Sequence, residues 1–406
     1  MRSSSAMTPA PPKKLIEGCA PSGQQRSHFL NSSGPKPEGN TMTTRFSRRQ
    51  VLQLGGLAAL SPAALSAQIS GSTTEWPPKL GPGTPRICLG AGRSEEAHLR
   101  QLKQVGVDYV LMGGPRIPWT EESLRQILDR YKGGGITVIN MMIGGMNDII
   151  HGGPNRDREI ENLIASIRAA GKAGLPVIEY NFYAHRLTEG YKEEVGRAGA
   201  GYTAYDYELS KNLPPREGVG THTRAEQLKR AEYFLKAIIP EAEKANVRFA
   251  LHPNDPPVPM SRGSEQLMDT VEHWFEYLDL VKSPYNGMTF DCGVTRETGA
   301  DPVKVCRTLG ERDVINHVHF RNVVVRKPYV DYTEVFLDEG QVDMFAVMKE
   351  LVRQKYSRGL YPEHPRALDI DRERGIRNSY PGGGGLVGEI YNVAYTKAML
   401  QAALSL

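Results

Sequence analysis

From residue 85 onward the chain alternates a short apolar, strand-forming run with a longer amphipathic stretch, eight times over. The predicted strands are Arg86-Leu89, Val107-Met112, Ile136-Ile143, Pro176-Asn181, Val247-Leu251, Met288-Asp291, Val314-His319 and Leu360-Glu363. The predicted helices that follow them are Ser94-Val105, Thr120-Tyr131, Arg156-Ala173, Arg224-Ala245, Gly263-Leu280, Asp301-Leu309, Asp343-Gln354 and Leu386-Ala403. Strands joined by helices of this length run parallel. Eight such units over about 320 residues have the size of a single (β/α)8 TIM barrel with insertions, spanning residues 85–406. A doubly wound dinucleotide fold is disfavoured, because no Gly-x-Gly-x-x-Gly turn joins an early strand to a helix. The polar stretch from His185 to about Thr223 is left without assigned elements.

In a barrel of this kind the chemistry sits where the strands end. The polar residues ending strands five to eight are His252, Asp291, His319 and Glu363. Their spacings of 39, 28 and 44 residues each span about one strand-helix unit, so the four can converge. Two imidazoles and two carboxylates form a ligand set suited to Mn²⁺, Fe²⁺, Co²⁺ or Ni²⁺. Cys292 is the alternative to Asp291, since the pleat sends these neighbours to opposite faces; Asp291 is taken as the inward one. On the seventh strand His317, His319 and Arg321 share a side. Polar groups buried there cost roughly 2–7 kcal/mol unless something satisfies them. His317 is assigned to lining the site or orienting a ligand. Prolines 253, 256 and 257 stiffen the loop that carries His252.

The formal charge of +4 suggests a nucleic-acid partner until it is located. Of 50 Lys/Arg and 46 Asp/Glu, eight and two lie in residues 1–67, leaving 42 against 44. The basic excess belongs to the leader, and a nucleic-acid footprint is not expected. Residues 1–41 are Ser-, Pro- and Gly-rich, which reads as disorder or a start placed upstream of Met42. Residues 42–67 carry Arg48-Arg49 before a short apolar run ending in small residues, the pattern of a Tat export signal. If that leader is not used the protein stays cytoplasmic. Residues 68–84 form a linker, and no later run approaches a membrane span. Cysteines 19, 88, 292 and 306 lack paired spacing, so no disulfide framework is expected.

Several segments resemble the mannonate dehydratase family of the xylose-isomerase-like TIM barrels. They are Tyr180-Asn181-Phe182, Ala204-Tyr205-Asp206, His252-Pro253-Asn254-Asp255-Pro256-Pro257, Gly287-Met288-Thr289-Phe290-Asp291, His319-Phe320-Arg321-Asn322-Val323, Val342-Asp343-Met344 and Pro362-Glu363-His364. The Pro-Pro loop and the His-x-Arg-Asn-Val strand are the specific parts. The chain departs from the family where Asp291 stands for its Cys and Glu363 for its Asp. The family's Pro-Gly-Tyr loop is here Tyr380-Pro381-Gly382-Gly383-Gly384-Gly385, with the tyrosine on the other side.

The resemblance implies a divalent metal, Mn²⁺ or Fe²⁺, acting as Lewis acid while a proton alpha to a carboxylate is removed and the neighbouring hydroxyl leaves. It places proton transfer on His364, with Tyr380 as partner acid or base. Arg321 is expected to bind the substrate carboxylate bidentately. Asn181 and Arg186 are expected to touch sugar hydroxyls, and the glycine run to form a lid. Three readings follow: a sugar-acid dehydratase, a metal-dependent sugar isomerase or epimerase, and a non-catalytic exported sugar-binding protein. All three take a small sugar or sugar acid, and a homo-oligomer is compatible with each.

Overall fold

A computed structural model describes residues 76–376 and 380–406. The leader at 1–41, the export signal expected at 42–67 and residues 68–75 of the expected linker lie outside the described residues.

Local chemistry starts most of the helices. Thr120 with Ser123, and Thr223 with Glu226, form reciprocal capping boxes on Glu121–Gly133 and Arg224–Ala245. Asp301 caps Pro302–Glu311, whose proline occupies the first turn, and Asp343 caps Met344–Arg353. The strands in chain order are β1 Arg86–Gly90, β2 Tyr109–Gly113, β3 Thr137–Met142, β4 Val177–Tyr180, β5 Tyr191–Val195, β6 Gly201–Asp206 and β7 Arg248–Leu251. They continue as β8 Met260–Ser261, β9 Ser264–Glu265, β10 Asn286–Asp291, β11 Ile315–His319, β12 Asn322–Lys327, β13 Asp331–Val335 and β14 Gly359–Tyr361.

Eight of these close a parallel barrel in the order β1-β14-β11-β10-β7-β4-β3-β2. Each corresponds to one strand expected from the sequence. Strands β4, β7, β10 and β11 are almost wholly buried, as the continuous apolar runs require. The main core joins them to the inner faces of the surrounding helices. Among the described residues no helix is long and apolar enough to cross a membrane.

Two regions differ from expectation. The segment from Gly263 is not helical throughout; a small β8–β9 ribbon comes first and the helix runs over Val271–Asp279, capped by Thr270. Left-handed backbone at Arg262 and Gly263 (φ 46° and 82°) makes the ribbon's turn and cannot belong to a right-handed helix. A second sheet, antiparallel and ordered β12-β13-β6-β5, was not foreseen. It is assembled from the insertions after β4 and β11. Thr203 of β6 and Glu334 of β13 line the same cavity as His252 and His319, so this sheet walls the barrel's mouth.

Candidate active site

Four successive barrel strands deliver their polar ends to one place. Asp291 and His319 are the last residues of β10 and β11, while His252 and Glu363 follow β7 and β14. His252 turns Nδ1 towards the Pro253 carbonyl at 2.7 Å, which leaves Nε2 facing inward. That nitrogen lies 3.0 Å from His319 Nδ1 and 3.9 Å from Asp291 Oδ2. His319 Nδ1 is also 3.0 Å from Glu363 Oε2. The four residues expected to hold a metal are thus brought together.

The donor chemistry fits a divalent cation. Two imidazole nitrogens face each other beside two carboxylates, and a cation takes lone pairs from all of them. Glu363 Oε1 and His319 Nε2 are buried without a hydrogen-bond partner, although Arg321 Nε lies 3.2 Å from the former. Asp291 with His319 and Glu363, and Glu179 with His252 and His319, each present ligand atoms within 4.8 Å of one another; Cys292 belongs to neither group. Burial pushes the Cys292 thiol well up, as expected of an inert core cysteine.

Burial disfavours the charged imidazole of His319, but Glu363 and Glu179 outweigh it and push the pKa up to about 9. Without metal, His319 is therefore protonated at neutral pH, and a cation has to displace that proton. Apparent Mn²⁺ affinity should rise about tenfold per unit between pH 7 and 9 and level off above, since acid restores the competing proton. Titrations with Mn²⁺ at three pH values across this range check the slope; a flat profile contradicts it.

Arg321 does not do what the sequence suggested. It is 2% exposed and does not line the cavity. Its Nε donates to Asp291 Oδ2 (3.1 Å), Nη1 to Glu297 Oε1 (2.7 Å) and Nη2 to Asp255 Oδ2 (3.1 Å). Glu334 and Glu363 lie 3.5 and 3.2 Å away. Every nitrogen faces a protein carboxylate, so the expected bidentate grip on substrate is corrected to a structural one. Gly293 makes the packing feasible: a Cβ there would come within 2.8 Å of Arg321 Nη1.

His317 does not line the cavity: it is fully buried behind the wall, with its ring centroid 5.2 Å from that of His319 and both ring nitrogens without a hydrogen-bond partner. Burial holds its pKa down at about 4 against the pull of Glu179, so it stands neutral beside the site.

The cavity, about 310 Å³, is lined among others by Asn181, Arg186, His252, His319, Glu334, Glu363, His364 and Tyr380. His364 Nδ1 lies 2.9 Å from Glu334 Oε2, and its Nε2 is 3.5 Å from Glu363 Oε2. Burial lowers this imidazole's pKa, but Glu334 and Glu363 raise it on balance. Its backbone is left-handed (φ 46°), unusual for a non-glycine. Arg366 holds it there by donating Nε and Nη2 to the His364 carbonyl at 3.0 and 2.7 Å. The Tyr380 ring sits 5.4 Å from that of His364, with the Arg186 guanidinium 5.5 Å from the tyrosine centroid.

The glycine run packs closely instead of standing off as a lid. A Cβ on Gly382 would strike the Tyr202 carbonyl at 2.3 Å, and the Ala367 amide donates to the Gly382 carbonyl (3.1 Å).

Sequence reasoning missed Glu179, Asp255, Glu334 and Arg366. Asp255, Glu334 and His364 also cluster; Tyr191 and Tyr332 donate to Asp255 and Arg366 to Glu334 Oε2, while Glu334 Oε1 is buried without a hydrogen-bond partner. A visible signal existed only for Glu179, a charge inside the apolar run Val177–Tyr180.

A family model described as D-mannonate dehydratase (UxuA) matches residues 89–207 and 216–405. A mannonate dehydratase of Streptococcus suis (strain 05ZYH33) is 30% identical over 322 residues, covering 70% of this chain and 86% of the relative. The crystal structure of mannonate dehydratase from Streptococcus suis serotype2 superposes with a TM-score of 0.71 at 26% identity, over 79% of this chain and 95% of that one. D-Psicose 3-epimerase from Clostridium cellulolyticum H10, solved with D-tagatose, has a TM-score of 0.51 at 11% identity over 79% and 99%, which shows the shared fold alone. On the family match across most of its length, and on the barrel with its converging strand ends, this chain belongs to the D-mannonate dehydratase family.

Proposed function

We propose that this protein is a metal-dependent hydro-lyase taking D-mannonate to 2-keto-3-deoxy-D-gluconate and water, with Mn²⁺ or Fe²⁺ as its cation. The observation that carries the reading is the meeting of His252, Asp291, His319 and Glu363 beside a cavity that also presents His364, Tyr380 and Arg186. Those first four residues would hold the cation, which supplies Lewis acidity towards the substrate's carboxylate.

The remaining work falls to protein groups. Dehydration removes the proton on the carbon next to the carboxylate and expels the neighbouring hydroxyl as water. Glu334 accepts from His364 Nδ1 and favours the charged imidazole, so His364 is assigned the proton that departs with the hydroxyl. Tyr380, its ring tilted beside that of His364, is assigned the partner role at the carbon acid. Arg186 is largely exposed and makes no hydrogen bond or ion pair among the described residues. With Arg321 and Arg366 engaged by carboxylates, Arg186 is, among the described residues, the arginine on the cavity wall left for an acidic substrate. A neutral ketose would leave it without a partner, which favours the dehydratase over the isomerase reading. Asn181, on the cavity wall, is assigned to the sugar hydroxyls.

Purified protein supplied with Mn²⁺ and D-mannonate should produce a keto acid detected with semicarbazide or thiobarbiturate. Silence on every aldonate, together with deuterium uptake into neutral ketoses, would replace this reading with isomerisation. We also read residues 42–67 as directing export, supported by Arg48-Arg49 and the short apolar run. Lysine at both arginine positions should keep the chain in the cytoplasm; unchanged export would refute the assignment.

A further inference from the structure

Glu179 lies one residue before the end of β4, fully buried, on a strand that the metal set does not use. No Lys or Arg pairs with it among the described residues. Its Oε2 accepts from Asn140 Nδ2 (2.6 Å) and its Oε1 from Thr289 Oγ1 (2.9 Å). Oε1 also stands 3.4 Å from His319 Nε2, the ring nitrogen turned away from His252 and Glu363. That nitrogen is buried and has no hydrogen-bond partner, so the Glu179 carboxylate is the charge it faces. A buried carboxylate without a cationic side chain beside it is costly, so its position calls for a reason.

Building on the metal reading above, we propose that Glu179 is a positioning residue for the cation. It holds the His319 proton on Nε2 and so commits Nδ1, with its lone pair, to the side where His252, Asp291 and Glu363 gather. The carboxylate also makes the imidazole a stronger donor, the role of an outer carboxylate behind a ligating histidine. Direct ligation is disfavoured, because Oε1 faces His319 Nε2, the nitrogen turned away from His252 and Glu363. The barrel is built around this pair: Asn140 comes from β3, Glu179 from β4, Thr289 from β10 and His319 from β11.

Glu179→Gln isolates the charge. The glutamine carbonyl can keep accepting from Thr289 while facing His319, and its amide can donate to Asn140 Oδ1, which has no partner, once the Asn140 amide turns over. The variant therefore keeps its hydrogen bonds and loses only the negative charge. Mn²⁺ titrated into metal-free full-length protein at pH 8.5 should bind E179Q about 10–100-fold more weakly than wild type. The visible d–d bands of the Co²⁺-loaded protein should move between the two, a change that a merely structural glutamate would not cause. Asn140→Ala, which removes one support of the carboxylate and leaves its charge, should weaken Mn²⁺ less than E179Q does. Equal Mn²⁺ affinity for wild type and E179Q, with unshifted Co²⁺ bands, overturns the role of Glu179 and leaves the metal reading standing. A wild type that takes up neither ion overturns both.

Discussion

Arg321→Met should destabilise the protein by roughly 3–5 kcal/mol, the range for leaving buried charges without their partner. Against a usual total of about 5–15 kcal/mol this is a large fraction. Methionine fills the volume, so the loss reports charge. Asp255, Asp291, Glu297, Glu334 and Glu363 all lie within 3.5 Å of this guanidinium, and Glu297 and Asp291 are fully buried. Burial and neighbouring carboxylates already raise Glu297 and Asp291, with Arg321 the main opposing influence. Taking the cation away raises them further. Protons then relieve the repulsion, so the stability deficit of R321M should shrink as pH falls from 8 towards 5. Arg321→Lys keeps a charge without the planar fork and should fall between the two. Denaturant melts at the two pH values measure the effect. A variant as stable as wild type at pH 8 would mean that these carboxylates are neutral in the fold.

The same residue shows where sequence reading stopped. Val318, Phe320 and the apolar runs of seven other strands announce a barrel because burial on both faces leaves a continuous hydrophobic signature. Asp291 and His319 at the ends of β10 and β11, with His252 and Glu363 just beyond β7 and β14, stand out against it, and they do converge. Arg321 was legible as a buried cation but not as a spent one. Its partners come from the loop after β7, from β13 and from the helix Cys292–Glu297, and nothing local links them. The antiparallel sheet was hidden for a similar reason. Tyr191–Val195 is largely polar with three of its five residues exposed, and β6 pairs with β13 across more than a hundred residues of chain. Pairing over such separations leaves no local periodic trace strong enough to read. Glu179 is a different case: it stands inside the fourth strand, away from the ends of strands five to eight where the ligand pattern is visible.

His364→Asn separates holding the cation from moving the proton, and kcat should fall about 10²–10⁴-fold, the usual contribution of a positioned acid or base. Asparagine is chosen because it tolerates the left-handed backbone that Arg366 enforces at this position. Its side-chain amide can still donate to Glu334, so the carboxylate is not stranded. The fold and the Mn²⁺ affinity should therefore stay near wild type. The neighbouring ligand contrasts sharply: His319→Ala should lose metal and turnover together, because its Nδ1 sits between His252 and Glu363. The pH profile adds a second reading. Glu334 is held at a pKa of about 2: burial would raise it, but His364, Arg366 and Arg321 prevail. It thus stays charged through the working range and keeps His364 protonated above the usual imidazole value. Wild-type turnover should then fall on the alkaline side as His364 loses its proton, and H364N should lack that limb altogether. An H364N enzyme with undiminished kcat and an intact alkaline limb would move the proton donor to another group on the cavity wall, Tyr380 first among them.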